Sequence, residues 1–262
     1  MNQIVKFSLT LLAAGVISAC GSSGGGNNST SPAANNSTSP AANNNTNTSA
    51  NKPAPTQTTP TQPPQTNSSD DMGTAFRVSD GKEFDIAKAN TYKQQLIVDG
   101  KTFPVSWGNI VSGGFTNLQN SIINGVTYKN FTVSGAKFTN VKFGHIDGYV
   151  FAQGDVTPKS NIPTTGSATY NVDGVFVANG QTSTSRDHKL NVDFANKTIN
   201  GDVAPNVAVT NAKIDGNEFD GKAVHNGKSA ELEGHFYGSN ASEIGGAYSS
   251  SDFSGAFGGK KQ

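Results

Sequence analysis

Ser229-Ala230-Glu231-Leu232-Glu233-Gly234-His235-Phe236-Tyr237 is the stretch whose reading decides the fold. In an extended strand Ala230, Leu232, Gly234 and Phe236 share one face, and Glu231, Glu233, His235 and Tyr237 share the other, because side chains alternate with period two. The same alternation recurs on both sides of it. Leu190, Val192 and Phe194 alternate with Asn191 and Asp193, and Ala195-Asn196-Lys197 turns the chain into residues 198–203, where Ile199, Gly201 and Val203 line one side. Residues 207–214 lead through Asp215-Gly216-Asn217 into 218–224, and Asp-Gly between alternating segments signals a hairpin. A long strand over 166–178, with 244–248 and 252–257, brings the set to about eight, the size of a small closed barrel. Gly201, Gly221, Gly234, Gly246 and Gly255 are expected on the inward face beside phenylalanines, where large and small residues together fill a closed interior. Closure also removes exposed strand edges. The expected fold is therefore all-β with a C-terminal antiparallel eight-stranded barrel, a two-sheet sandwich being the alternative.

The longer run 230–246, which ends His235-Phe236-Tyr237-Gly238-Ser239-Asn240-Ala241-Ser242-Glu243-Ile244-Gly245-Gly246, resembles the hallmark of the C-terminal barrel of transferrin-binding-protein-B-like lipoproteins. In that family a phenylalanine-tyrosine-glycine is followed by an asparagine-alanine-x-glutamate-hydrophobic-glycine-glycine turn. The ending Phe257-Gly258-Gly259-Lys260-Lys261-Gln262 is similar to the close of that family and of the related factor H-binding proteins. Residues 191–201 and 214–221 match two further family segments, so that several motifs occur in order over 162–262.

The resemblance implies a surface-exposed, non-enzymatic lipoprotein carried across the outer membrane by a Slam-type translocon. Relatives bind transferrin, haemoglobin, haem or complement factor H. Full transferrin-binding protein B has two lobes, each a handle domain plus a barrel. This chain has room for one, which moves the comparison toward single-lobe relatives, including hemophilin-like haem carriers.

On this reading residues 71–161 form a small β-rich handle domain and 162–262 the barrel. Within the handle, Phe76-Arg77-Val78, 102–107, 126–133 and 137–143 read as short strands, and Tyr149-Val150-Phe151-Ala152-Gln153-Gly154-Asp155-Val156-Thr157-Pro158 resembles a joining segment of single-lobe relatives. Helical periodicity is nearly absent, a helical turn being plausible only within 84–95. Ligands of such relatives are taken by loops and outward faces of the handle. Trp107, Phe115 and Tyr128, near glycine turns, are thus candidate ligand-binding residues, each of which also reads as a core aromatic. His145, between Phe143-Gly144 and Ile146-Asp147-Gly148-Tyr149, is a candidate haem ligand, since a neutral imidazole among apolar side chains suits haem iron. An ordinary loop histidine is the alternative.

The N-terminal part has a different character. Lys6, then an apolar stretch over 7–17, then Ser18-Ala19 before Cys20, has the layout of a secretory signal peptide. The stretch is shorter than the ~20 apolar residues of a membrane-spanning helix. Ile17-Ser18-Ala19-Cys20 resembles the bacterial lipobox, which implies removal of residues 1–19 and lipidation of Cys20. Palmitate-type acyl chains at about 0.8 kcal/mol per buried methylene would hold such a chain in outer-membrane lipid. Cys20 is the sole cysteine, so no intramolecular disulfide is available. Residues 20–70 repeat Asn-Asn-Ser-Thr-Ser-Pro-Ala-Ala and then decay into Pro/Thr/Gln. Without apolar side chains to bury they read as a disordered tether, spanning on the order of 40 Å.

Acidic and basic residues balance at 19 each, interspersed and without a basic cluster, which argues against nucleic acid. His145, His188, His225 and His235 are scattered without metal-ligand spacing. No nucleophile elbow, phosphate loop or dinucleotide fingerprint occurs. Glu231 and Glu233 share a strand face that alternation places outside the barrel, in solvent. The expectation is a binding module with no required cofactor and haem as one candidate ligand. Its partner classes are an iron- or haem-bearing host protein, a complement regulator, and an adhesive glycan or matrix component.

Overall fold

The computed structural model describes residues 71–106, 113–123 and 125–262. The expected signal peptide, tether, Cys20 and Trp107 lie outside the described residues. The rest is all-β, with short 3-10 turns at Lys159–Asn161 and Ser239–Ala241 and no α-helix among the described residues.

Eight strands make up the first part: β1 Asp71–Arg77, β2 Glu83–Ala87, β3 Gln95–Val98, β4 Lys101–Pro104, β5 Phe115–Ile123, β6 Val126–Ser134, β7 Val141–Ile146 and β8 Tyr149–Gly154. Six of them form an antiparallel sheet in the order β2-β1-β8-β7-β6-β5, and β3-β4 is a separate hairpin. Eight more follow: β9 Ser167–Ala178, β10 Gln181–Asp193, β11 Thr198–Ala204, β12 Val207–Asp215, β13 Glu218–His225, β14 Lys228–Tyr237, β15 Glu243–Ser249 and β16 Ser254–Lys261. These meander in sequence order and close into a barrel where β9 pairs with both β10 and β16. The closed barrel is the expected one, and the sandwich is excluded.

The turns explain much of the register. Asp99-Gly100, Asp147-Gly148, Asn179-Gly180 and Asn226-Gly227 each place two consecutive residues at positive φ. That is the two-residue hairpin geometry whose twist matches paired strands, and Asn, Asp and Gly reach it at least cost.

Residues 84–95 form no helix, but a single helical-type turn does fall within them: β2 occupies the first part, and the Gln95 N–H then donates to the Thr91 carbonyl at 2.8 Å, an i→i+4 bond. Gln153 Nε2 donates to the carbonyls of Tyr92 (2.7 Å) and Gln95 (2.8 Å), fastening these turns to the sheet. Tyr149–Gly154 is a full strand in the interior of the six-stranded sheet. Its continuous apolar run is what a strand buried on both faces requires.

Three apolar clusters result. The barrel interior holds Phe194, Phe219, Phe236 and Phe257 among Val, Ile, Leu and Ala. One face of the six-stranded sheet packs under the β3-β4 hairpin through Leu96, Val98, Phe103, Phe131, Tyr149 and Phe151. The other face lies on the barrel's outer wall, where Phe76, Val141 and Phe143 meet Val175, Tyr237, Ala247 and Ala256.

Adjacent glycines serve both sides of that wall. Gly246 faces inward, where a Cβ would press on the Phe257 ring at 2.9 Å, while Gly245 faces outward, where a Cβ would meet Val141 Cγ2 at 2.8 Å. Gly258 and Gly259 divide the same way: a Cβ on Gly258 would strike Phe143 of the sheet, and one on Gly259 would press on Val172 and Ile244 inside. The Gly-Gly pairs thus admit one large side chain into the barrel and another onto its surface.

Candidate functional site

The seam between sheet and barrel is built around a buried carboxylate. Gly238, Asn240 and Ala241 all take positive φ, which bends the chain sharply between β14 and β15 and delivers Glu243 to the sheet. There Glu243, 1% exposed, accepts from the backbone N–H groups of Thr139 (3.0 Å), Asn140 (2.8 Å) and Val141 (3.0 Å) and from the Thr139 hydroxyl (3.0 Å). Tyr170 Oη donates to the Ala241 carbonyl at 2.6 Å, tying the same turn to the barrel interior. Lys137 pairs with the buried Asp173 at 2.7 Å, and Thr157 Oγ1 donates to the Gly238 carbonyl at 2.6 Å.

His145 belongs to this seam. It lies on β7, 3% exposed, with Nδ1 2.8 Å from Thr182 Oγ1 of β10 and Nε2 accepting from the Gly148 N–H at 3.2 Å. The second bond fixes the proton on Nδ1, which then donates to Thr182. Burial lowers the imidazole pKa to about 4, partly opposed by Asp147. The ring is therefore a neutral bridge between sheet and barrel, with neither nitrogen open to iron in this arrangement.

The other expected residues separate. Tyr128 is buried in the sheet's outer core, edge-on to Phe131 at 6.1 Å. Phe115 is half-buried and packs edge-on against Phe143 at 5.7 Å, next to the seam. The two aromatics thus sit on different faces and do not converge. What alternation did not reveal is the β5–β6 hairpin tip. Ile122 and Val126 flank the turn at Gly125 and are 73% and 51% exposed. With Ile97 they are the large hydrophobics left in water among the described residues. Branched apolar residues on both arms of a hairpin at the sheet's edge were the available signal.

A cleft of about 840 Å³ opens between loop 88–93, the start of β1 and the barrel residues Asn217 and His235. Asn217 Oδ1 and both ring nitrogens of His235 are buried without hydrogen-bond partners, His235 Nε2 lying 3.5 Å from Asp71 Oδ2. Glu233 departs from the expected solvated face. Glu231 is exposed and paired with Lys222, but Glu233 is half-buried where β1 and β2 cross the wall. Burial raises its pKa, with the His235 ring and the Thr74 hydroxyl acting in the opposite sense. Glu83, Asp85 and Glu233 bring carboxylate oxygens within 4.8 Å of one another, and no histidine joins a metal-type cluster among the described residues.

A closed, glycine-laced barrel with a sheet clamped to its outer wall is thus the architecture that carries these sites. Residues 162–261 match the family described as the C-lobe and N-lobe beta barrels of Tf-binding protein B. An uncharacterized protein of Haemophilus influenzae is 36% identical over 99% of this chain and 99% of its own length. The chain belongs to this transferrin-binding protein B-like family. Among solved structures, isotype 1 transferrin binding protein B from serogroup B Neisseria meningitidis is similar in fold, with a TM-score of 0.56 at 23% identity over 73% of this chain. This chain spans 43% of that protein, less than half its length. HpuA from Kingella denitrificans, crystallised in complex with human haemoglobin, superposes with a TM-score of 0.50 at 18% identity, covering 69% of this chain and 77% of HpuA.

Proposed function

We propose that this chain is a non-catalytic bacterial lipoprotein, anchored in the outer membrane through acylated Cys20 and displayed on the cell surface by a Slam-type translocon. It captures an iron- or haem-bearing host protein. The contact is the β5 side of the six-stranded sheet, centred on the β5–β6 hairpin. The observation that carries this reading is the exposed pair Ile122 and Val126, where nearly all other large apolar side chains among the described residues are covered. Removing exposed apolar side chains such as these from water at an interface favours association in rough proportion to the area buried. The relatives support the ligand class: one takes its name from transferrin and another was crystallised on haemoglobin. The barrel serves as a rigid mount for the sheet. Residues 20–70 serve as the tether that lifts it from the membrane.

The test is binding of the purified chain to immobilised human haemoglobin, transferrin and complement factor H, and to free haem followed by absorbance. Saturable capture of haemoglobin or transferrin, weakened at least ~tenfold by the double variant Ile122→Asp/Val126→Asp, is the expected result. Capture of factor H alone, or equal binding by the variant, would overturn the reading.

A further inference from the structure

We infer that Glu83, Asp85 and Glu233 form a binding site for a calcium-class divalent cation that ties the edge of the sheet to the barrel wall. Glu83 and Asp85 lie on one face of β2, two residues apart, and Glu233 lies on the outward face of β14. The three therefore come from two separately folded elements. Their carboxylate oxygens lie within 4.8 Å of one another. Two oxygens on opposite sides of a calcium ion, each about 2.4 Å from it, are separated by about that span.

Electrostatics and burial sharpen the point. No lysine or arginine among the described residues pairs with any of the three carboxylates, although most other acids at the sheet and seam have a cation or a set of N–H donors. Glu83 and Asp85 are exposed and could turn into water, yet they converge on a half-buried Glu233. Gathering three carboxyls this closely disfavours ionising all of them, a strain that a bound divalent cation would relieve.

An independent observation comes from Thr74. It stands directly across from Asp85 in the β1–β2 ladder, so both side chains leave the same face. Its Oγ1 is fully buried and has no partner in hydrogen-bond geometry. It is nonetheless close enough to act on the Glu233 carboxyl. An unsatisfied buried hydroxyl aimed at a carboxylate cluster is a neutral oxygen ligand in waiting. Carboxylates and a hydroxyl make an all-oxygen set, which selects a hard cation over zinc or copper. Water on the open side of Glu83 and Asp85 would complete the six to eight ligands calcium takes.

The site goes beyond capture of a host protein and does not depend on it. It predicts that calcium fastens β2, and with it the loop lining the 840 Å³ cleft, to the barrel. The test is calorimetric titration of the chelator-treated chain with calcium chloride, alongside thermal melts in calcium, magnesium and matched sodium chloride. One ion per chain and a melting temperature raised by calcium beyond the other salts are expected. Asp85→Asn, exposed and therefore tolerated by the fold, should weaken calcium binding at least ~tenfold, and Glu233→Gln should do the same. No saturable heat, an equal response to magnesium, or undiminished binding by Asp85→Asn would overturn the assignment.

Discussion

The barrel interior and the sheet–barrel seam both bury aromatic rings over glycines, but they are held differently. Inside, Phe219, Phe236 and Phe257 pack ring against ring at 5.7 to 6.4 Å, and Gly234 and Gly246 give them room. At the seam Phe143 and Tyr237 are just as buried, yet Glu243, Asp173, His145 and Thr157 sit among them. Apolar packing is non-directional and tolerates small slips, whereas a carboxylate meeting four donors fixes one position. The interior thus supplies bulk stability, and the polar clamps hold the sheet in one orientation on its mount.

Removing the clamp should break the comparison most visibly. Glu243→Ala would strand three backbone N–H groups and a hydroxyl in a buried place, at a cost of about 3–5 kcal/mol. A thermal melt should fall by roughly 6–20 °C in a chain of this size. Hydrogen exchange should rise first around residues 139–141, and loss confined to the barrel strands would contradict the role given to Glu243.

His145 makes the seam sensitive to acid. Its folded pKa of about 4 lies below the ordinary 6.5, so the unfolded chain binds a proton that the folded chain refuses. Its contribution is whole above pH ~6.5 and is lost as pH falls toward 4, amounting to about 3 kcal/mol at most. Urea melts between pH 7 and 4 should show the decline, and His145→Gln should flatten it. An unchanged slope in that variant would place the acid sensitivity elsewhere.

Glycine substitutions separate the two regions more gently. Gly258→Ala sets a methyl against Phe143 at the seam, while Gly246→Ala sets one against Phe257 inside, each costing about 1–3 kcal/mol by overpacking. Exchange should rise in the six-stranded sheet for the first and around the barrel for the second. Matching exchange maps would show that the two cores are not distinct. The smallest effect is expected from Glu231→Ala, an exposed partner of Lys222, which should leave the melt within about 0.5 kcal/mol of the parent chain.

Legibility in the sequence followed the same division. Barrel strands with one dry and one wet face, such as residues 190–193, announce themselves by alternation. The first half of β10, Gln181 to Lys189, is polar on both faces and carries no such signal, though Asn179-Gly180 marks its turn. Strand β8 hid for the opposite reason, being apolar on both faces. Glu233 misled because alternation tells inward from outward but not which outward positions a second element covers. Glu243 stood inside the family motif, but its partners lie about a hundred residues earlier in the chain (|i−j| = 104 for Thr139), a distance no local pattern spans.

The central claim is that the sheet binds and the barrel carries it. Hydrogen exchange on the chain with and without a saturating host protein measures this most directly. Protection concentrated in residues 115–134 and unchanged exchange in the barrel strands is the expected outcome. Protection confined to the barrel turns near Asn206 and Asn226, with the β5–β6 hairpin unaffected, would contradict it.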